Sequence, residues 1–198
     1  MEWLALLLLA AALIVPVVLL LGFAGCQVVF PLIPPPELQQ TFAADLPSEE
    51  DFPDVTLVQR IEPVRLSDSG SQVQLTIKAL SQAVVINRIL ISQAAGAGNL
   101  YDSADDLTDV ASGVLINPNS SLTLPPVVYN LDRTKPLLIA MDIPAQSGRL
   151  PFLQGVPPTD AAAFFRNGIF EATINVRQNN YNLRNRIYLV ERIDTRPS

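Results

Sequence analysis

The densest group of potential metal ligands in this sequence is an acidic stretch near its middle. Calcium favours several oxygen ligands from one loop, and the stretch YDSADDLTD offers four carboxylates. These calcium candidates are Asp102, Asp105, Asp106 and Asp109. Ala104 occupies the third position of the loop, where an EF-type site needs an oxygen ligand, and no glutamate closes the loop. The alternative is a solvated turn whose acids cap its own backbone.

The amino-acid composition excludes several common kinds of catalytic site. The chain has 198 residues, no histidine and one cysteine, Cys26. A Ser-His-Asp triad, a Cys-His pair and a His-ligated metal site therefore cannot be built from it. No pair of acids is placed across a cleft for glycoside hydrolysis. We expect a protein that is not an enzyme and needs no cofactor. The net charge of −6 argues against a nucleic-acid partner, because phosphate binding needs clustered Lys and Arg.

The apolar N-terminal segment predicts a membrane anchor. Residues 3–23 carry no charge, and about 21 residues at 1.5 Å each are enough to cross a hydrocarbon core of about 30 Å. Residues 1–26 are therefore predicted to form a single transmembrane helix, kinked at Pro16. We expect it in a bacterial cytoplasmic membrane, with the C-terminal domain on the periplasmic or another extracytoplasmic side.

Two alternatives to a retained anchor stay open. The sequence Phe23-Ala24-Gly25-Cys26 resembles a lipobox, which would make Cys26 the lipidation candidate of a bacterial lipoprotein. A cleaved secretory signal is the other alternative, although such signals have a shorter apolar core and a basic start. This chain starts with Met-Glu-Trp instead.

Residues 27–54 are rich in proline and predict a stalk. Three consecutive prolines at 34–36 favour an extended polyproline II spacer, and the acids at 49–51 are typical of an exposed linker. The alternative is an ordered strap that lies along a partner. The apolar contact candidates in this segment are Phe30, Leu32 and Ile33, which we expect in the membrane interface or against another protein.

The remaining residues, 55–198, are predicted to form the folded domain, because short strand patterns and turn signals dominate there. Residues 73–80 alternate between apolar and polar, which is typical of a strand with one solvated face. The fold class predicted is all-β: an antiparallel, jelly-roll-like β-sandwich preceded by the single transmembrane helix. Further strands are predicted at 55–61, 84–91, 113–116, 121–124, 127–131, 137–143, 169–176 and 186–193. Only residues 159–166, TDAAAFFR, have helical character.

Five short stretches between residues 86 and 194 carry a resemblance. They are ILIS at 89–92, DLTDV at 106–110, INPNSSLTL at 116–124, PLLIAM at 136–141 and IYLVE at 187–191. In these stretches the chain is similar to the jelly-roll accessory domain that precedes the catalytic domain in some SGNH-type esterases. The nucleophile block of those esterases is absent, and no histidine could serve it. The resemblance therefore implies an architecture and no activity.

Two stretches of the domain are candidates for contact with a partner. A pair of phenylalanines followed by an arginine could form a docking wedge, with core filling as the alternative. The polar loop at 179–186 carries arginines, which are common in interface hot spots; a solvated face is its alternative. The contact candidates are Phe164, Phe165, Arg166, Tyr181, Arg184 and Arg186.

Two classes of function follow. The first is a non-catalytic accessory or structural subunit, anchored in the bilayer, that docks its β-sandwich onto a larger integral membrane protein complex, for example a photosynthetic or respiratory one. The second is a lipoprotein or anchored module that binds carbohydrate or another cell-envelope polymer. A carbohydrate platform needs exposed aromatic side chains, whereas the four tyrosines are scattered and the single tryptophan, Trp3, lies in the anchor.

Overall fold

The computed structural model describes residues 36–52, 54–168 and 170–197, and in these ranges the chain is all-β, as predicted. One short 3₁₀ turn, Pro63–Arg65, is the only helical element there. No helix within these ranges is long and apolar enough to cross a membrane. The predicted anchor lies outside them, together with Cys26, Phe30, Leu32 and Ile33.

Fourteen strands make up the described part of the chain. They are β1 Gln39–Ala43, β2 Ser48–Glu50, β3 Val55–Ile61, β4 Gly70–Ala79, β5 Val84–Gln93, β6 Thr108–Ile116, β7 Ser120–Thr123, β8 Val127–Leu131, β9 Leu137–Ile143, β10 Leu150–Gln154, β11 Ala161–Asn167, β12 Asn182–Arg184, β13 Arg186–Tyr188 and β14 Val190–Arg196.

The strands form three antiparallel sheets in a sandwich-like arrangement. The six-stranded sheet has the order β12-β11-β3-β9-β5-β6. The five-stranded sheet has the order β1-β14-β4-β7, with β8 also paired to β4. The three-stranded sheet has the order β13-β10-β2. Residues 182–196 therefore run through all three sheets in turn, as β12, β13 and β14.

A single large core lies between the sheets. Val73, Leu75 and Ile77 of β4 are fully buried in it, and the polar residues between them lie on the other face. This confirms the strand predicted from the alternation of residues 73–80. Facing them from the six-stranded sheet are residues such as Leu57 and Ile139. Each such side chain contributes roughly 1.5–3 kcal/mol when it leaves water.

The folded body begins earlier than the predicted boundary at residue 55. Residues 36–52, which were predicted to belong to the stalk, supply β1 and β2, and these strands pair with β14 and β10. Phe42, Leu46 and Phe52 are buried in the core. The proline-rich composition concealed these strands, because each is only three to five residues long and too short for a visible alternation.

Two further predictions from the sequence were wrong. The stretch at 159–166 is not helical: it contains most of β11, which is hydrogen-bonded to β3 on one side and to β12 on the other. Its alanines favour a helix in isolation. In the fold, however, both faces of the strand are buried, and hydrogen bonding to two neighbouring strands outweighs the helix propensity of these residues. The strand predicted at 169–176 is also absent from its described part, because residues 170–176 lie in a loop.

Candidate functional site

A row of polar side chains crosses the outer face of the six-stranded sheet. Arg166 of β11 pairs in register with Thr56 of β3, and Thr56 pairs with Asp142 of β9. On its other side Asp142 pairs with Arg88 of β5. The Thr56 hydroxyl donates to Asp142 Oδ1 over 2.6 Å. Four strands thus bring two arginines, a hydroxyl and a buried carboxylate into one line.

Next to this row, an apolar patch on the same face forms a second, smaller core. Val58, Ala140 and Phe164 are buried there, and Tyr101 and Ala172 pack over them from outside the sheet. The covering residues come from two loops, residues 94–107 and residues 170–181. We call them the paired loops, because they are joined to each other as well as to the sheet.

The 170–181 loop is fastened to the polar row by its backbone. The N–H of Glu171 donates to Thr56 Oγ1 over 2.7 Å, and the N–H of Ala172 donates to Asp142 Oδ1 over 3.1 Å. The Glu171 carboxylate pairs with Arg166 at 3.2 Å and accepts the Tyr181 hydroxyl at 3.0 Å. These groups are buried or half-buried, so their hydrogen bonds are needed to offset lost hydration.

Arg177 holds the paired loops together from inside. Its side chain is buried and donates to three backbone carbonyls, those of Tyr101, Glu171 and Ala172. Its backbone N–H donates to Asp102 Oδ1 over 2.9 Å. Because a buried guanidinium needs several acceptors, this residue fixes the distance between the two loops.

Direct hydrogen bonds also join the two loops to each other. The N–H of Ser103 donates to the Asn175 carbonyl over 2.8 Å, and the Tyr101 hydroxyl donates to the Gln178 carbonyl over 3.1 Å. The rings of Tyr101 and Tyr181 stack with their centroids 4.7 Å apart. Loops are usually mobile, but this pair is held by hydrogen bonds, an ion pair and aromatic packing.

Burial dominates the electrostatics beneath the loops. It raises the pKa of Asp142 above its ordinary value of 3.8, although hydrogen bonds from Thr56 and the backbone and the charge of Arg177 act to lower it. Burial also lowers the pKa of Arg177, against the influence of Tyr181 and the acids around it. For Tyr181, burial and the nearby Glu171 both raise the pKa. Asp142 and Arg177 are buried and Tyr181 is half-buried.

The outer surface of the paired loops is apolar. Eight large apolar side chains are exposed among the described residues, and half of them lie on these two loops: Leu100, Phe170, Ile174 and Val176. Val176 is 75% exposed although its neighbour Arg177 is buried. Most of the exposed or half-exposed polar side chains on these loops are uncharged amides: Asn99, Asn175, Gln178, Asn179 and Asn180. The exposed carboxylate of the loops, Asp105, accepts the Asn175 amide over 2.6 Å.

The structure does not bring the four calcium candidates together. Asp102 accepts the backbone of Arg177 and Asn99, and Asp106 accepts the backbone of Gln93 and the Tyr129 hydroxyl. Asp105 accepts the Asn175 amide, and Asp109 pairs with Arg88. Each carboxylate has its own protein partner. Within the described ranges no group of three or more His, Cys, Asp or Glu is placed to hold a metal ion.

The two phenylalanines of the candidate docking wedge fill the cores instead, which was the stated alternative. Phe164 and Phe165 are buried on opposite faces of β11, one in each core. Arg166 is half-buried in its ion pair with Glu171. Of the other contact candidates in the described residues, Tyr181 ends the 170–181 loop and stacks on Tyr101. Arg184 is exposed at the end of β12, and Arg186 is half-buried at the start of β13.

The tyrosines do not form a carbohydrate platform. Tyr101, Tyr129 and Tyr188 are buried, and Tyr181 is half-buried against Tyr101. The most exposed aromatic side chain in the described ranges is Phe170, at 48%.

Three of the residues that hold the paired loops, Thr56, Asp142 and Arg177, were not among the sites predicted from sequence, whereas Arg166, Tyr181 and Asp102 were named for other roles. Asp142 did leave a signal: it is the single charged residue in the buried stretch LLIAMDI, and a lone acid in such a strand indicates a specific buried partner. Thr56 and Arg177 left none, because their role depends on segments more than 70 residues away. No family model matches the chain, and a comparison with curated proteins finds no match.

Proposed function

We propose that this protein is a non-catalytic accessory subunit that docks onto an integral membrane protein complex through its paired loops. The observation that carries the proposal is the position of Val176, an apolar side chain that is 75% exposed on a loop anchored by the buried Arg177. A surface of this kind is presented at little entropic cost on binding, because the backbone that carries it is already ordered.

The composition of this surface also suits a protein partner. Contiguous exposed apolar patches mark interaction sites, and the core of a protein interface is depleted in charged residues. Most of the polar side chains near Leu100, Phe170, Ile174 and Val176 are neutral amides. The one exposed carboxylate of the two loops, Asp105, is already bonded to the Asn175 amide, so a partner that buries this surface meets little free charge.

The membrane setting rests on the sequence. The uncharged stretch at 3–23 would confine the body to a bilayer surface, where a membrane complex on the extracytoplasmic side is the available partner. Confinement raises the effective concentration of the two surfaces, so a modest apolar patch suffices for a stable complex.

The experiment is extraction of the full chain from its native membrane with a mild detergent, followed by affinity purification and native mass spectrometry. The native chain should purify in fixed stoichiometry with a larger complex. Val176→Asp should release it, since burying a charge at the centre of an interface costs about 2 kcal/mol or more. A native chain that runs as a monomer would overturn the proposal.

The chain offers a closely matched control. Val128 on β8 is 77% exposed, against 75% for Val176, and it lies on the five-stranded sheet. Val128→Asp should leave the complex intact. If both variants release the partner to the same extent, the paired loops are not the docking surface.

We also propose that the sandwich is of the jelly-roll type that the resemblance implies. In support, successive strands change sheet repeatedly: β3, β5 and β9 belong to the six-stranded sheet, while β4 and β8 belong to the five-stranded one. All of their pairings are antiparallel. In a jelly roll the strands alternate between two sheets in this manner.

A further inference from the structure

A groove of about 570 Å³ opens beside β12, at the edge of the six-stranded sheet. It is lined by Gln154, Gly155, Leu183, Arg184, Asn185 and Arg186. Both arginines are supported by aromatic rings of the core: the guanidinium carbon of Arg184 lies 4.9 Å from the Phe165 ring centroid, and that of Arg186 lies 4.2 Å from the Phe152 centroid. Such stacking restricts the orientation of both planar guanidinium groups, and both arginines line the groove.

The groove carries an uncompensated positive charge. Arg186 pairs with Glu50 of β2 at 2.5 Å, and Glu50 also accepts the Tyr188 hydroxyl. Burial acts to raise the pKa of Glu50, but the bonds from Arg186 and Tyr188 and the charge of Arg184 outweigh it and hold the pKa below its ordinary value. Among the described residues, no carboxylate lies within 4 Å of Arg184; its side chain bonds only to the Leu183 carbonyl, over 3.4 Å.

We propose that this groove binds a glutamate or aspartate side chain of an extended partner segment, with Arg184 as the main donor. The proposal deepens the proposed function and rests on it for the partner. Arg184 presents a planar guanidinium that can bind one carboxylate through two parallel hydrogen bonds. Glu50 balances only one of the two arginine charges in the groove, and one carboxylate from the partner would neutralise the other.

The fold favours a polypeptide here. β12 is the last strand of its sheet and pairs only with β11 in the described ranges, and its three residues are exposed. An extended peptide can add to such an edge through its backbone. Leu183, which is half-exposed, connects this edge to the apolar paired loops, because the 170–181 loop leads directly into β12.

Charge argues against an anionic lipid as the occupant. A membrane surface meets the field of the whole chain, whose net charge is −6, and anionic leaflets recruit polybasic clusters. A single carboxylate approaching the groove meets mainly Arg184 and Arg186, because more distant charges are screened over a Debye length of about 8 Å.

The test uses the full ¹⁵N-labelled chain in a non-ionic detergent. The probe is an acetylated, amidated pentapeptide, Val-Glu-Val-Glu-Val, and its matched control contains glutamine in place of glutamate. The glutamate peptide should produce saturable shifts of the Arg184 side-chain Nε–H and of the backbone amides of Leu183 and Asn185. The glutamine peptide should bind about tenfold more weakly, because a neutral amide forms a weaker hydrogen bond with the guanidinium than a carboxylate does.

Variants assign the effect to one arginine. Arg184→Gln should weaken binding of the glutamate peptide by about tenfold, and Arg184→Lys by about threefold, because lysine keeps the charge and loses the bidentate geometry. Arg133→Gln is the control, since Arg133 is an exposed arginine that also donates to a backbone carbonyl. It should leave the affinity within about twofold.

Several results would overturn the proposal: no shift with the glutamate peptide, equal binding of both peptides, or stronger shifts with the lipid headgroup glycerophosphoglycerol. The last would assign the groove to a membrane surface. Failure here is separable from failure of the proposed function. Binding of the peptide by a chain that purifies as a monomer removes the docking role alone, whereas a stoichiometric complex with no peptide binding removes the groove proposal alone.

Discussion

The side-chain carbonyl of Gln59 accepts the backbone N–H of Tyr188 over 2.9 Å, across 129 positions of sequence. Gln59 lies on β3 and is fully buried. Its amide nitrogen donates to the carbonyls of Ala162 and Arg186, over 3.0 and 3.3 Å. Ala162 lies on the neighbouring β11, whereas Arg186 and Tyr188 lie on β13, where the chain enters the three-stranded sheet after β12. Gln59 thereby replaces backbone pairing that the change of sheet interrupts.

Gln59→Leu should destabilise the fold strongly. The substitution leaves up to three buried backbone groups without partners, each costing about 1–3 kcal/mol. We expect a loss of about 3 kcal/mol in the free energy of unfolding, measured by chemical denaturation. Gln72→Leu, at a half-buried position of β4, should change it by less than about 0.5 kcal/mol. Equal effects at the two positions would contradict the role of Gln59.

Arg177→Met should loosen the paired loops. The three backbone carbonyls that accept from Arg177 lose their donor. We therefore expect the free energy of unfolding to fall by about 3 kcal/mol. Amide exchange should accelerate more at Ser103, whose N–H donates to the opposite loop, and at Glu171, whose N–H donates to Thr56 of the sheet, than at Ile77 in the main core. Uniform acceleration would show that Arg177 stabilises the whole body and does not act on the loops.

Asp142→Asn should change how stability depends on pH. Burial raises the pKa of Asp142, so the folded state holds its proton more tightly than the unfolded state. Its contribution to stability is therefore full below the ordinary value of 3.8 and declines as pH rises toward the folded pKa. Asparagine keeps the acceptor oxygen without the charge. The stability of the variant relative to the native chain should rise with pH through this interval.

Asp132→Asn provides the opposite sign as a control. Hydrogen bonds from the hydroxyl and the backbone of Thr134 lower the pKa of Asp132, so its ionised form stabilises the fold above 3.8 and loses that effect as pH falls. The stability of this variant relative to the native chain should fall as pH rises. If the relative stability of both variants changed in the same direction with pH, the raised pKa of Asp142 would be contradicted.

Millimolar calcium should leave the melting temperature unchanged to within about 1 °C. A ligand stabilises the folded state only if the fold presents a site for it, and the carboxylates of Asp102, Asp105, Asp106 and Asp109 are engaged by separate protein partners. Magnesium at equal concentration controls for ionic strength. A calcium-specific rise of several degrees would restore the metal site predicted from the sequence.

A chain that begins at residue 55 should fail to fold, whereas one that begins at residue 36 should fold. The shorter chain lacks β1, β2 and the buried side chains of Phe42, Leu46 and Phe52. At about 2 kcal/mol each, these three side chains contribute about 6 kcal/mol, which is comparable to the total stability of an ordinary domain, about 5–15 kcal/mol. Circular dichroism and cooperative thermal unfolding distinguish the two outcomes.

The sequence predicted the strands in which apolar and polar residues alternate and those that consist of β-branched and other apolar residues. β3 and β9 have the bounds predicted from the sequence, and β4 overlaps its prediction almost completely, because a strand with a consistent pattern reveals its buried face locally. β11 was missed because AAAFFRN carries no alternation. The contacts between the paired loops could not be predicted from the sequence either. Arg177 is an ordinary loop residue until the fold places carbonyls from two segments around it.

Residue types and their short-range order were sufficient to predict the all-β fold of the described residues, since periodicity and composition are local properties. The boundary at residue 36, the burial of Phe164 and Phe165, and the inward direction of Asp142 and Arg177 depended on contacts between distant segments. Hydrogen bonds and burial become favourable only when both partners leave water together, so those features emerged only when the strands were paired.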